Sequence, residues 1–172
     1  MNRRMTVAAA ALVLTAGAPV VAAQGIASAE PAAPQADTQC AENLGGALTQ
    51  LLNYSTYVTT YLECRNVAGG GFRWQVFDSA YPSSDKWFSY GPKLILHGEG
   101  QRNREIDSGD WIAYPQASGT QCSATQTAVV TGGTVTAPQV STSQPGQPLK
   151  LQVLPLLFTI EMSGECLWQK VS

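Results

Sequence analysis

The sequence has little of the chemistry that most catalytic and metal sites use. It contains one histidine, His97, and only 13% of its residues are charged. It has neither a CxxC pair nor a GxSxG motif, so neither a zinc site built on paired cysteines nor the nucleophile elbow of an α/β-hydrolase is indicated. His97 would be the single candidate base of a Ser–His–Asp relay. We interpret it instead as a strand-end residue that faces solvent, and we predict no metal, no cofactor and no catalytic residue.

Basic residues are also few. The chain has ten Lys and Arg against twelve Asp and Glu. Arg3 and Arg4 lie in the segment that we predict to be removed, which leaves eight basic residues and a net charge near −4. Nucleic-acid-binding domains concentrate positive charge instead. We therefore expect no nucleic acid among the partners of this protein.

The N-terminus has the three-part pattern of an export signal. Arg3 and Arg4 precede an uncharged stretch, residues 6–23, that is rich in Ala, Val and Leu. Small residues follow, and signal peptidase requires small side chains before the cut. We predict a signal peptide over residues 1–29, cleaved after Ala29, with cleavage after Ala23 as the alternative. The mature protein is then expected to be secreted or held in the cell envelope, in the manner of bacterial exported domains.

A membrane anchor is the alternative use of the same stretch. A spanning helix needs about 20 predominantly apolar residues. Here the run is barely that long, it is rich in Ala, and Gly17 and Pro19 interrupt it. Cleavage is therefore favoured, and we expect no stable membrane span after it.

All four cysteines follow the predicted signal, at Cys40, Cys64, Cys122 and Cys166. An even number of cysteines in an exported chain indicates disulfides, and four cysteines allow three pairings. The sequence alone does not choose among them. We favour Cys40–Cys64 and Cys122–Cys166, because each pair brackets one segment of the chain.

Short stretches of alternating apolar and polar residues recur between Gly and Pro turns. Alternation with a period of two is the pattern of a half-buried strand. We predict roughly seven to nine short strands and an all-β fold, specifically an antiparallel β-sandwich of the Ig-like class. Ten candidate segments supply these strands, at about residues 54–64, 72–77, 87–90, 93–97, 111–114, 121–130, 133–140, 149–153, 156–162 and 166–171.

The start of the mature chain is interpreted differently. Leu44, Leu48, Leu51 and Leu52 recur at helical spacing, which favours a short N-terminal helix or turn before the first strand. Residues 30–39 are mostly Pro, Ala and Gln and are predicted to be a flexible leader. Residues 40–172 are then one β-rich domain, a normal length for a single domain.

The long polar loop at residues 98–110 is the favoured place for a binding function. It carries Arg102, Arg104, Glu105 and Asp107, and binding residues are common on loops that a rigid scaffold positions. The spacing of its acids matches no EF-hand, and no paired-carboxylate signature of a glycosidase is met. The alternative is a solvated loop with offsetting charges.

Aromatic residues concentrate between residues 72 and 114. Trp74 and Trp111 lie in segments with strand-like patterns and are expected to fill the core. Trp87 and Tyr90 lie near prolines and are the candidates for an exposed ligand platform. Tyr57 and Tyr61 are a second candidate, on the strand face opposite Val58 and Leu62.

No catalytic set emerges, so the first hypothesis is a non-catalytic secreted or cell-envelope binding protein. Its ligand would be a protein, a glycan or a lipid outside the cytoplasm. An inhibitor of a secreted enzyme such as a protease is the alternative, with the loop at residues 98–110 filling the active site. The third hypothesis is a small secreted hydrolase that uses His97 or the loop carboxylates. Fold class alone does not decide among these functions.

Overall fold

The computed structural model describes residues 33–53, 55, 58–91 and 93–172. The predicted signal peptide lies outside these residues. The described part is nearly all β. Its strands are β1 (Leu48–Asn53), β2 (Val58–Val67), β3 (Gly71–Val76), β4 (Lys86–Tyr90), β5 (Leu94–His97), β6 (Gly109–Pro115), β7 (Ser123–Ala128), β8 (Gln139–Thr142), β9 (Leu149–Val153), β10 (Leu157–Ser163) and β11 (Glu165–Lys170).

The strands form two sheets. The large sheet has seven strands in the order β3-β2-β1-β4-β11-β6-β9, and the small sheet has four in the order β5-β10-β7-β8. Neighbouring strands run antiparallel, except that β1 and β4 pair in parallel through Leu48 and Trp87. The edge strands of the two sheets are therefore β3 and β9 in one and β5 and β8 in the other.

One cluster of buried side chains contains residues of both sheets. Trp87, Trp111 and Trp168 come from the large sheet, and Leu96 and Ile160 come from the small one. All five are almost fully buried. Large aromatic side chains contribute most of the apolar area in such a core. We call this cluster the inter-sheet core.

A second, smaller core lies on the opposite face of the large sheet. Successive strand residues point to opposite faces, so Phe88 and Leu167 face away from the inter-sheet core that their neighbours Trp87 and Trp168 enter. The N-terminal residues cover this second face, and Leu44 is buried there.

The two disulfides have the predicted pairing. Cys40–Cys64 fastens the N-terminal segment to β2, and Cys122–Cys166 joins the residue before β7 in the small sheet to β11 in the large sheet. The second bond therefore connects the two sheets covalently through the inter-sheet core.

The structure corrects the predicted leader at residues 30–39. Asp37 N–H donates to the carbonyl of Trp74 at 2.7 Å, Trp74 N–H donates to the carbonyl of Thr38 at 2.9 Å, and Cys40 N–H donates to the carbonyl of Phe72 at 3.0 Å. The last residues of the predicted leader thus pair with the edge of β3, where unpaired backbone groups would otherwise remain. The fold begins before residue 40.

The helix expected before residue 54 is also corrected, whereas the strand expected at about residues 54–64 is present as β2, Val58–Val67. The expected helix is reduced to one 3₁₀ turn, Glu42–Leu44. The leucine-rich segment forms β1, which pairs with β2 from Leu48–Glu63 to Asn53–Val58. Gly46 has a φ of 79° and stops the turn, and the backbone hydrogen bonds to β2 override the helical spacing of the leucines.

Among the residues described, no helix is both long enough and apolar enough to cross a bilayer.

Candidate functional site

Glu105 is a buried carboxylate between β5 and β6, with 4% of its surface exposed. The loop that carries it, residues 98–108, folds back over the end of β5. The backbone N–H groups of Glu105 and Ile106 both donate to the carbonyl of His97, at 2.8 and 3.2 Å. Ile106 is fully buried in the inter-sheet core and anchors the loop.

Three hydrogen-bond donors and the imidazole of His97 surround the Glu105 carboxylate. Oε1 accepts from the Tyr61 hydroxyl at 2.6 Å and from the Gln50 amide at 3.2 Å. Oε2 accepts from the His97 backbone N–H at 2.9 Å and lies 3.1 Å from His97 Nδ1. A buried carboxylate is tolerated only when it is hydrogen-bonded in this way. We call Gln50, Tyr61, His97 and Glu105 the Glu105 network.

Part of this network closes an open sheet edge. β5 has no strand beyond it, and its backbone is capped there by side chains: Gln50 Nε2 donates to the carbonyl of Ile95 at 2.9 Å, and Glu105 accepts from His97 N–H. Gln126 caps β9, an edge strand of the large sheet, in a similar way. Its side-chain amide donates to the carbonyl of Gln152 and accepts from the N–H of Leu154. A neutral amide is sufficient at that edge. The Glu105 carboxylate has a second role, because it also contacts the imidazole of His97.

His97 is the last residue of β5, and 46% of its side chain is exposed. The predicted strand-end position and exposure are confirmed. The contact between Nδ1 and the Glu105 carboxylate was not predicted. It orients the ring, so that Nε2 is the nitrogen available to a bound molecule, as a donor or as an acceptor.

Two clefts meet at the Glu105 network. The first cleft has a volume of about 280 Å³. It lies between β5 and the β1–β2 pair, and its walls include the aliphatic side chains of Leu52, Leu94 and Ile95. Its full lining comprises Gln50, Leu52, Thr59, Tyr61, Tyr90, Lys93, Leu94, Ile95, His97 and Glu105.

The second cleft has a volume of about 250 Å³ and is more polar. Tyr61, His97 and Glu105 line both clefts. The remaining lining of the second cleft is Ala80, Tyr81, Pro82, Gln101, Arg102 and Asn103. The imidazole of His97 therefore lines both the more apolar first cleft and the more polar second cleft.

A third cavity, of about 420 Å³, lies against β6 and β9 and is lined in part by Asp110, Lys150 and Gln152. All three of these residues are exposed. No buried ionisable group lines this cavity, so the Glu105 network is the better candidate site.

The hydroxyl of Tyr61 has an altered acidity. Burial raises the pKa of Tyr61, and its hydrogen bond to Glu105 and the charge of that carboxylate raise it further, while Gln50 opposes the shift. Below about pH 10, the ordinary tyrosine pKa, the hydroxyl is protonated in both folded and unfolded chains. Above that pH the unfolded chain loses this proton first, so the stability that Tyr61 contributes falls as the pH rises.

We expect Tyr61→Phe to make the free energy of unfolding less dependent on pH above about pH 10 than it is in the parent chain. At neutral pH the same change removes one donor to Glu105 and is expected to cost about 1 kcal/mol. Urea unfolding from about pH 8 to pH 11 measures both effects. Tyr81→Phe is the control, because Tyr81 is exposed. Equal pH slopes for the two variants would contradict the prediction.

The four predicted loop residues, Arg102, Arg104, Glu105 and Asp107, differ in burial and in their charge partners. Glu105 is buried in the network, whereas Arg102 is exposed and has no ion-pair partner among the described residues. Arg104 Nε lies 2.7 Å from Asp107 Oδ1, and Lys170 Nζ lies 3.9 Å from Asp107 Oδ2. The expectation of a loop with offsetting charges therefore holds for Arg104 and Asp107. Glu105 and Arg102 line the clefts.

Trp87 and Tyr90 are not an exposed pair, and that prediction is wrong. Trp87 is fully buried, and 8% of Tyr90 is exposed. Both lie on β4, which is internal to the large sheet and has one core on each face. The Trp87 indole donates to the carbonyl of Ser84. Tyr90 keeps a place at the first cleft, where its hydroxyl donates to the carbonyl of Gln50.

Two members of the network were missed as site residues by the sequence reasoning. Gln50 was not considered, and Tyr61 was considered only as an exposed ring. They lie 55 and 44 residues from Glu105 in the chain, and no local pattern connects residues so far apart. Tyr57, the other member of that aromatic pair, lies outside the described residues.

Within the described part of the chain, no group of three or more His, Cys, Asp or Glu side chains is arranged to hold a metal ion. Comparisons with protein-family models, with curated proteins and with solved structures give no match to this chain. The function must therefore be argued from the chemistry of the Glu105 network and its two clefts.

Proposed function

We propose that this chain is an exported, non-catalytic binding protein that holds a small ligand in the first cleft, over the Glu105 network. The proposal includes export through the N-terminal signal peptide into the extracellular space or cell envelope, in the manner of bacterial proteins. Two disulfides are compatible with such an oxidising compartment. It also includes a β-sandwich architecture of the Ig-like class, which the inter-sheet core supports.

The observation that carries the proposal is the position of the Glu105–His97 pair. A buried carboxylate orients a half-exposed imidazole in the lining of a cleft whose walls also include the aliphatic side chains of Leu52, Leu94 and Ile95. Ligand sites combine apolar walls with a few oriented polar groups in this way, although the volume is at the low end of the usual range. The cleft therefore suits a small ligand with an apolar body and one polar group.

Binding is favoured over catalysis because the described lining of the first cleft contains no serine or cysteine, and its one threonine, Thr59, makes no hydrogen bond to His97. The hydroxyls of Tyr61 and Tyr90 donate to Glu105 and to the carbonyl of Gln50. Nucleophilic catalysis needs a nucleophile within hydrogen-bond reach of its base. The Glu105–His97 pair by itself orients a ligand.

The single histidine makes the test direct, because its ring protons give NMR signals without overlap from other imidazoles. We expect members of a probe set of small glycans, fatty acids and short-chain alcohols to shift these signals without being converted. Ile95→Ala should lower the affinity for the probes that bind about fivefold, since it removes apolar area from the cleft wall.

The control is Val140→Ala, which changes another exposed aliphatic residue of the small sheet, on β8. Equal weakening by Val140→Ala would contradict the cleft as the binding site. Turnover of a probe that depends on His97 would favour the hydrolase instead.

Inhibition of a secreted enzyme is a second candidate, and the bracing of the loop 98–108 favours it. Ser108 donates to Glu99 from its hydroxyl at 3.0 Å, and Gln101 Nε2 donates to the carbonyl of Phe158 at 2.9 Å. These hydrogen bonds hold the loop on both sides of its exposed tip at Arg102 and Asn103. A loop that is already ordered loses little conformational entropy when it binds an enzyme. Inhibition of a secreted protease by the intact chain would favour this candidate over a small ligand.

A further inference from the structure

We propose that the ligand is an amphiphilic carboxylate whose apolar chain occupies the first cleft and whose head group binds Arg102 and His97 in the second. This inference rests on the proposed function, because it assigns a ligand class to the same site. It joins two clefts that share three lining residues, so that one elongated molecule would contact both.

The apolar half of the ligand follows from the first cleft. Leu52 and Ile95 line it, and both side chains remain more than two-fifths exposed. Leu94, which is buried, lies behind them in the same lining. An alkyl chain laid against these side chains would remove their apolar surface from water, which is favourable in proportion to the area buried.

The anionic half follows from the charges. Lys93 in the first cleft is paired with Glu161 at 2.6 Å, and Glu105 accepts three hydrogen bonds and contacts the His97 imidazole. Arg102, in the second cleft, has no carboxylate partner in the described part of the chain. A ligand that reached the second cleft would therefore meet one unpaired cation.

The geometry of that cation fits a carboxylate head group. A guanidinium presents parallel N–H donors that match the two oxygens of a carboxylate. The amide side chains of Gln101 and Asn103 line the same cleft and can hydrogen-bond to a head group. The imidazole of His97 lines both clefts and is a further polar group for the head group.

The experiment compares three probes on the intact chain by titration with NMR or calorimetry. Octanoate carries both head and chain, 1-octanol carries the chain with a neutral head, and acetate carries the head alone. We expect octanoate to bind about tenfold more tightly than either of the other two, because only octanoate satisfies both clefts.

The matched variants are Arg102→Gln and Arg104→Gln, two exposed arginines of the same loop. Arg102→Gln is expected to lower the affinity for octanoate about tenfold and to leave the affinity for 1-octanol unchanged. Arg104→Gln is expected to change octanoate less than twofold, because Arg104 is paired with Asp107 and does not line the cleft.

Equal binding of octanoate and 1-octanol, or equal loss in the two arginine variants, would overturn the carboxylate assignment. If neither octanoate nor 1-octanol binds while another probe shifts the His97 ring signals, this inference fails and the proposed function stands. If no probe of any class shifts those signals, both fail.

Discussion

Replacing Cys122 and Cys166 together with alanine is expected to lower the free energy of unfolding by about 4 kcal/mol. The bond closes a long loop, with a sequence separation of 44 residues, so its loss gives the unfolded chain considerable conformational freedom. Both cysteines are fully buried in the inter-sheet core, and their replacement also removes the one disulfide that joins the two sheets within the described residues. Denaturant unfolding without reductant measures the change.

The matched comparison is the double replacement of Cys40 and Cys64 by alanine. Its shorter loop, with a separation of 24 residues, predicts a loss of about 3.5 kcal/mol, only slightly smaller. The two variants should differ in where the structure opens. Hydrogen exchange should rise in both sheets for the first pair and mainly in residues 37–47 and β3 for the second. Exchange that rises only near the N-terminus in both variants would contradict the assignment of Cys122–Cys166 as the connection between the sheets.

Glu105→Ala is expected to lower the free energy of unfolding by about 3 kcal/mol. The change removes the acceptor of the Tyr61 hydroxyl, the Gln50 amide and the His97 backbone N–H. A buried donor left without an acceptor costs about 1–3 kcal/mol, and water entering from the two clefts should relieve part of this cost. Thermal or urea unfolding at neutral pH is the measurement.

Two further variants test whether this loss of stability comes from the Glu105 carboxylate. Glu105→Gln keeps the size of the side chain and one acceptor oxygen, and should cost about 1–2 kcal/mol. Glu99→Ala removes an exposed acid from the same loop and should cost less than about 1 kcal/mol. A loss below about 1 kcal/mol for Glu105→Ala would show that the network contributes little to stability and would remove the reason for a fixed His97 ring.

The Glu105 network has two roles that experiments can separate. Its backbone contacts cap the edge of β5, and its contact with His97 Nδ1 orients the ring at the junction of the two clefts. The capping role predicts stability changes without any ligand. The orienting role predicts that Glu105→Gln also lowers ligand affinity. Ile95→Ala and Arg102→Gln change the cleft lining without touching that contact, and they should lower affinity with little loss of stability because both side chains are exposed.

The sequence by itself determined the local features of this protein. The alternating segments predict β3 and β9 because side chains on a strand point to opposite faces in turn. The choice of Cys40–Cys64 and Cys122–Cys166 was also made from the sequence, since each pair brackets one structural segment, and the structure confirms it.

Only the tertiary structure decided which of these local features lie inside and which come together. Trp87 and Tyr90 are buried because β4 is internal to a sheet with a core on each face, and no local pattern contains that order of strands. Gln50, Tyr61 and His97 meet at Glu105 because β1, β2 and the end of β5 converge there. Such contacts depend on long-range strand order and packing, whereas alternation and turn residues describe only neighbours along the chain.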